Sequence, residues 1–432
     1  MVQFRRRNNA HWYHETQCSG SLEHCSGSPV NISTTVNVPT TVNVPTTVNN
    51  ENPPVDIRPR DPSESDNMST GSNITEQSII TEQGIFLLGV TENIAPTLQD
   101  TLYHEQPILT ASDAMYQALF PTIIEINHTN TFSLYDRLST ALTVAQVTGI
   151  QRLCSHYALR LAPLPSPDAS RESNIRLTQI TQYARQLASQ PTLIDRHALA
   201  QLHDVGLTDS DIIILSQIIG YVGYQARVVA GISALAGYPT VMLPGFPRME
   251  DAAPNPLPDV MPNWQGWLPS HAANDDQSDK EPDETASTLT ELLGHHQQSL
   301  LAYHAITTHQ PNSPQLQRDW LELVALVSAR INGSLYCQAR HRQHLQQLTE
   351  QPLLVTELLK GIDHALFLLP EQQIPHQLIS VTAELTRAPE RFNHQHVKRL
   401  QTLGVSDTQV MRIIFSIAIT GWTNRLRHTL GK

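Results

Sequence analysis

The sequence predicts an all-α protein: two tandem helical domains that follow a disordered N-terminal tail. Three observations lead there. Apolar residues recur at three- and four-residue spacing over 134–161, over 175–187 and again from about 291 to the C-terminus, the period of helices with a buried face. Strand-type alternation persists nowhere in the part expected to be ordered. Residues 178–227 also match residues 376–425 without a gap at an offset of 198, with nine identities. Among them are Pro191/Pro389, Gly206/Gly404, Asp209/Asp407, Gly223/Gly421 and Arg227/Arg425.

Taken in order, residues 1–85 form the tail. Thr34 to Pro39 recurs as Thr40 to Pro45, and few large apolar residues accompany the repeat. So few copies could not bury a stacked core, and a proline in each opposes sheet pairing, so disorder is expected. Residues 86–240 are the first helical domain and 241–290 an acidic, Pro-rich linker in which Pro254, Pro256, Pro258 and Pro262 interrupt regular structure. Residues 291–432 are the second helical domain.

Each copy of the repeat has the same local logic. Gly206 and Gly404 suit the left-handed residue that ends a helix, and Thr208 and Ser406 suit the cap of the next. Ser406 with Gln409 has the form of a capping box. The helices that follow are apolar nearly all round, as central bundle helices are. Each closes on a small residue, an aromatic and an arginine: Gly223-Tyr224 with Arg227, and Gly421-Trp422 with Arg425. Such an arginine is expected to pair with a carboxylate or with backbone carbonyls.

Composition narrows the function. The 432 residues carry 28 Lys+Arg against 40 Asp+Glu, a formal net charge of −12. That balance argues against a partner rich in phosphate, whether nucleic acid or an anionic membrane. The four cysteines, Cys18, Cys25, Cys154 and Cys337, lack the density of a secreted disulfide scaffold. No apolar leader opens the chain, and glycines and polar residues break the apolar stretch 212–243. A cytoplasmic protein is expected.

The chemistry concentrates in residues 322–341. Asn332-Gly333 reads as a helix stop and Ser334 as the cap of a second helix, which puts Cys337 in its first turn. Unpaired N–H groups and the helix dipole there favour thiolate over thiol. His341 lies four residues on, on the same face, and Glu322 on the preceding helix can orient it. The residues alone leave two readings open: a primed thiol, or a small buried hydrophobe with a surface histidine near it.

This segment resembles the active-site signature of the alkylhydroperoxidase D-like (AhpD-like) proteins of the carboxymuconolactone decarboxylase superfamily. Their pattern is a Glu, eleven residues, then C-x-x-C-x-x-x-H, preceded by Ser-Ala-x-x-Asn-Gly. Glu322, Ser334, Cys337 and His341 occupy the pattern, with Ser328, Ala329, Asn332 and Gly333 before it. The resemblance implies that Cys337 is a peroxidatic nucleophile and that His341 and Glu322 relay protons, with a contribution from Tyr336. It implies an organic hydroperoxide as substrate, an external thiol or lipoyl-type reductant, and a homo-oligomer of trimer type. Ser334 departs from the pattern, because a hydroxyl at the resolving position cannot form a disulfide.

The first domain offers no equivalent. If His156 is set on His341, Arg152 and Gly149 fall where cysteines belong; if Cys154 is set on Cys337, Ala158 falls on the histidine. A structural paralogue is expected there. Among the twenty histidines, His341/His344, His295/His296 and His394/His396 are close in sequence, but none shows an H-E-x-x-H frame or an obvious third ligand. No metal and no cofactor is therefore expected. Besides a thiol-dependent hydroperoxidase, two readings stay open. One is a catalytically silent oligomeric scaffold or binding protein; the other is a cofactor-free decarboxylase or lactone-processing enzyme working through His and Glu.

Overall fold

Two glycine-ended helices from each half set the architecture. The computed structural model describes residues 84–241, 248–258, 263–270, 288–309 and 317–432. The expected disorder of the tail falls almost wholly outside these residues, as do parts of the linker. The described chain is all-α, and no strand occurs in it; an isolated antiparallel bridge joins Gly266 to Gly431.

The first half contains α1 (Gly84–Leu87), α2 (Pro96–His104), α3 (Gln106–Leu119), α4 (Leu134–Thr148), α5 (Gln151–Leu161), α6 (Arg171–Ser189), α7 (Arg196–Asp204) and α8 (Asp209–Leu235). After it come α9 (Leu289–Leu293), α10 (Gln297–Thr307), α11 (Arg318–Asn332), α12 (Leu335–Leu348), α13 (Pro352–Lys360), α14 (Ile362–Leu368), α15 (Ile374–Arg387), α16 (His394–Thr402) and α17 (Asp407–Thr429). The α7–α8 pair repeats as α16–α17 at the offset of 198, and the short 3-10 turns Pro191–Leu193 and Pro389–Arg391 keep the same offset.

Local chemistry explains the boundaries. Gly206 and Gly404 take φ of 85° and 86°, and Gly149 and Gly333 take 70° and 79°, so each reversal uses a residue without a Cβ. The expected run 134–161 is accordingly two helices, divided at Gly149. Thr208 and Ser406 start α8 and α17 with full capping boxes, closed by Asp211 and Gln409.

The two long helices are the centre. A Cβ on Gly220 would stand 2.0 Å from Trp422, and one on Gly231 would stand 2.4 Å from Ile414. One register rises as the other falls, so α8 and α17 run antiparallel and touch where glycine permits. By length and composition α8 could cross a bilayer, but its apolar span is wholly buried among the other helices.

Apolar side chains form two cores that share these helices. The first takes α1–α8 and one face of α17, including Met411, Phe415, Ala418 and Trp422. The second takes α11–α16 and the other face of α17, including Val410, Ile413, Ile414 and Ile417, with Ala230 and Ala234 from α8. Leu292, Leu293, Tyr303 and Ile306 of α9 and α10 belong to the first core, although in sequence they open the second block.

The linker is not a free tether where it is described. Arg387 holds Asp251 with two hydrogen bonds of 2.6 and 2.5 Å, and Arg248 pairs with Glu384. Trp264 and Leu268 are buried in the first core. Gln265 and Lys432 exchange backbone hydrogen bonds beside the bridge.

Candidate functional site

The site is assembled where α11 turns into α12. Gly333 is required there twice over. Its φ is positive, and a Cβ would stand 2.3 Å from Thr192 and 2.8 Å from Ala252. The Ala252 N–H donates to Ile331 at 3.0 Å, and Arg330 donates to the Ala252 carbonyl at 2.6 Å. The linker thus lies directly over the turn.

Ser334 sits at the N-cap position of α12, as expected, but its side chain makes no capping bond. Its hydroxyl stands on the side of Cys337 and favours the thiolate there. Cys337 lies in the first turn and is 3% exposed. Here the structure corrects the sequence expectation of a thiol shifted toward thiolate. Burial pushes the thiol above its ordinary value, and this outweighs the Ser334 hydroxyl, Arg427 and Arg340, which all pull it down. The pull of a helix start on an anion is here smaller than the cost of taking the thiolate out of water.

Arg427 explains part of that enclosure. Its guanidinium lies 4.5 Å from the centre of the Tyr336 ring and 5.5 Å from that of Trp264. Trp264 in turn donates its indole N–H to the Arg427 carbonyl at 2.8 Å. Tyr336, expected in the proton relay, therefore presents its ring to an arginine. The end of α17 thus stands beside the thiol, with Trp264 packed on the same arginine, a long-range arrangement that no local pattern signals.

Glu322 and His341 do come together. His341 Nδ1 and Glu322 Oε2 are 2.8 Å apart. A third residue, which the sequence pairs with His341 but leaves without a further ligand, completes the group: His344 Nδ1 lies 3.2 Å from Glu322 Oε1. His341 and His344 are three residues apart on one face of α12, so a carboxylate on the facing helix meets both. Burial pushes the Glu322 carboxyl up, but the hydrogen bonds and charge of the two imidazoles outweigh it and hold the carboxyl below its ordinary value. The absence of a third ligand in the sequence reading is thereby corrected: the carboxylate comes from the preceding helix, not from the local frame.

The first half shows what the same scaffold does without this chemistry. The α4–α5 pair and the α11–α12 pair start 184 residues apart, with Gly149 and Gly333 as matching stops. At that offset Leu138, Ile150, Leu153 and Tyr157 stand where Glu322, Ser334, Cys337 and His341 stand. Leu138, Leu153 and Tyr157 are all buried. Tyr157 donates to Gln225 at 2.7 Å, and Gln225 donates to the Phe86 carbonyl at 2.8 Å. The two registers considered from sequence each miss this one by a single residue.

The other first-half candidates have ordinary partners. His156 shares a 2.6 Å hydrogen bond with Tyr116, which also accepts from Arg160 at 2.6 Å. Cys154 is a free, half-buried thiol, also pushed up by burial. Compared with the known protein families and with curated proteins, the chain matches none.

Proposed function

We propose that the protein is a thiol-dependent hydroperoxidase of AhpD-like type, with Cys337 as nucleophile and His341–Glu322 as proton relay. The observation that carries this reading is the juxtaposition of two groups on one helix start. Cys337 lies in the first turn of α12 against the Ser334 hydroxyl, and one turn on His341 is held by Glu322 at 2.8 Å. In the reaction, the Cys337 thiolate attacks the distal oxygen of an organic hydroperoxide. The S–O bond forms, the O–O bond breaks, sulfur is oxidised to sulfenic acid, and the departing alkoxide takes a proton relayed through His341. An external thiol then condenses with the sulfenic acid, releasing water, and a second thiol equivalent frees Cys337. With Ser334 at the resolving position, this second stage needs an external thiol or a distant cysteine of the chain. A cytoplasmic setting, a thiol or lipoyl-type reductant and a homo-oligomer of trimer type belong to the same reading.

Consumption of cumene hydroperoxide by the full chain with a dithiol reductant tests it. The expected result is turnover that rises with pH through and beyond the ordinary thiol range, and that Cys337→Ser abolishes. Turnover unchanged in that variant ends the reading.

A second reading is a scaffold without redox turnover. One observation favours it: the Cys337 thiol is buried and held protonated. It expects no turnover at any pH and no sulfenic acid trapped at Cys337 after peroxide treatment.

A further inference from the structure

We infer that Glu322, His341 and His344 form a binding site for one divalent transition-metal ion. Three donors of the right chemistry converge from two helices: two imidazoles and one carboxylate, whose ligand atoms all lie within 4.8 Å of one another. Two histidines and a glutamate are a common donor set for Zn²⁺, with the fourth position left to water or substrate.

The spacing fits an ion. Donors about 2.0–2.2 Å from a tetrahedral metal stand roughly 3.4 Å from each other. The two nitrogen–oxygen separations here are 2.8 and 3.2 Å, so a small opening of the group admits a metal between them. Both imidazoles already turn Nδ1 inward, and each faces a different oxygen of the same carboxylate.

Access is also present. Side-chain exposures of 22% for His341, 33% for His344 and 15% for Glu322 leave an entry from solvent. His344 matters most for this inference, because it lies outside the Glu–Ser–Cys–His pattern that motivates the peroxidase reading. A proton relay needs one histidine on Glu322, and the second has no part in it.

Metal and relay exclude one another. Both use His341 Nδ1 and the Glu322 carboxylate, so a bound ion would remove the relay and leave Cys337 without it. The metal site itself does not rest on the peroxidase reading, and binding is measured without turnover.

The test is equilibrium dialysis of the full chain against Zn²⁺ at pH 7.5, after chelator treatment, for wild type, Glu322→Gln and His344→Asn. The histidines and cysteines of residues 11–25 can also take up zinc, so the readout is the difference between wild type and variants. Wild type is expected to bind one equivalent more than either variant, or to bind that equivalent at least tenfold more tightly. Co²⁺ gives a second readout: visible absorption of a low-symmetry nitrogen–oxygen site in wild type, lost in His344→Asn. The His344 side chain is a third exposed, so its replacement leaves the core untouched and carries the test alone if Glu322→Gln proves unstable. Identical zinc stoichiometry and affinity in wild type and His344→Asn, with unchanged cobalt spectra, overturn the inference.

Discussion

Arg425 donates to the carbonyl of Ala188 at 2.9 Å, and the offset of 198 makes this the counterpart of Arg227 donating to Thr386 at 2.6 Å. Each arginine leaves its own long helix to satisfy the last carbonyls of the α6 or α15 helix in the opposite half. Those carbonyls have no partner within their own helix. The crossed pair is therefore a lock between the two copies, and these arginines are structural; they lie inside α8 and α17, which run on to Leu235 and Thr429, and not at the helix ends where the sequence reading puts them.

Replacing either arginine should show this directly. Arg425 also donates to Leu187 at 3.1 Å and to Gly421 at 2.9 Å, whereas Arg227 has Gly223 as its second acceptor. Arg425→Met should lower stability by about 2–4 kcal/mol, because it strands buried carbonyls. Arg227→Met should cost less. The urea midpoints of the two variants check the order, and a larger loss for Arg227→Met would contradict the carbonyl count.

The close approach of α8 and α17 predicts a sharp contrast between neighbouring glycines. A Cβ on Gly220 falls inside the Trp422 ring's contact distance, whereas a Cβ on Gly223 meets nothing nearer than Arg227 at 3.4 Å. Gly220→Ala should destabilise by about 1–3 kcal/mol through overpacking. Gly223→Ala should be close to neutral or stabilise by up to about 1 kcal/mol, since alanine is the better helix former. Thermal unfolding of the two variants separates packing from propensity.

The parts of this fold that sequence made visible are those governed by local rules. Gly206, Gly404 and Gly333 stop helices because only they tolerate the left-handed turn, and Thr208 and Ser406 cap because their hydroxyls reach the third N–H. The hidden parts depend on distant segments. Cys337 is buried with Arg427 of α17 and Tyr303 of α10 beside it, distant residues that no helical pattern near residue 337 can announce. His344 gains its meaning only from Glu322, on another helix. In the first half cysteine and histidine are misleading anchors for the register, because the glycine stop is what both halves share.

Acid should weaken the fold in a definite window. Burial lowers His156 and His296 from 6.5 to about 4. His156 faces Tyr116 and Arg160, and His296 accepts from the Ser299 N–H at 3.4 Å, so both are held neutral. The unfolded chain therefore binds protons that the folded chain refuses between pH 6.5 and 4. Stability is present above 6.5 and falls as pH drops toward 4, by on the order of 2 kcal/mol per histidine after solvent screening. Asp113, raised by burial from 3.8 to about 6, works in the opposite direction between those values. Melting temperature against pH should thus slope less steeply in His156→Gln and more steeply in Asp113→Asn. Parallel curves for all three proteins would remove these groups from the account.

The two functional readings part most clearly at Ser334. Its hydroxyl is near enough to favour the Cys337 thiolate, three residues on in the same helix start, so a sulfur in its place begins close to that thiol. Ser334→Cys also restores the C-x-x-C spacing of the proteins that the segment resembles. If peroxide oxidises Cys337, the sulfenic acid in this variant should be captured at once by Cys at 334, with loss of two free thiols and release of water. Cys337 would then be protected from overoxidation, and a dithiol reductant should support faster turnover than in wild type. Thiol counting by mass spectrometry after one equivalent of hydroperoxide reads the first step without relying on a reductant. If the thiol is merely a buried hydrophobe, peroxide should leave both sulfurs reduced, because a protonated sulfur shut away from water has neither the charge nor the access to attack an O–O bond.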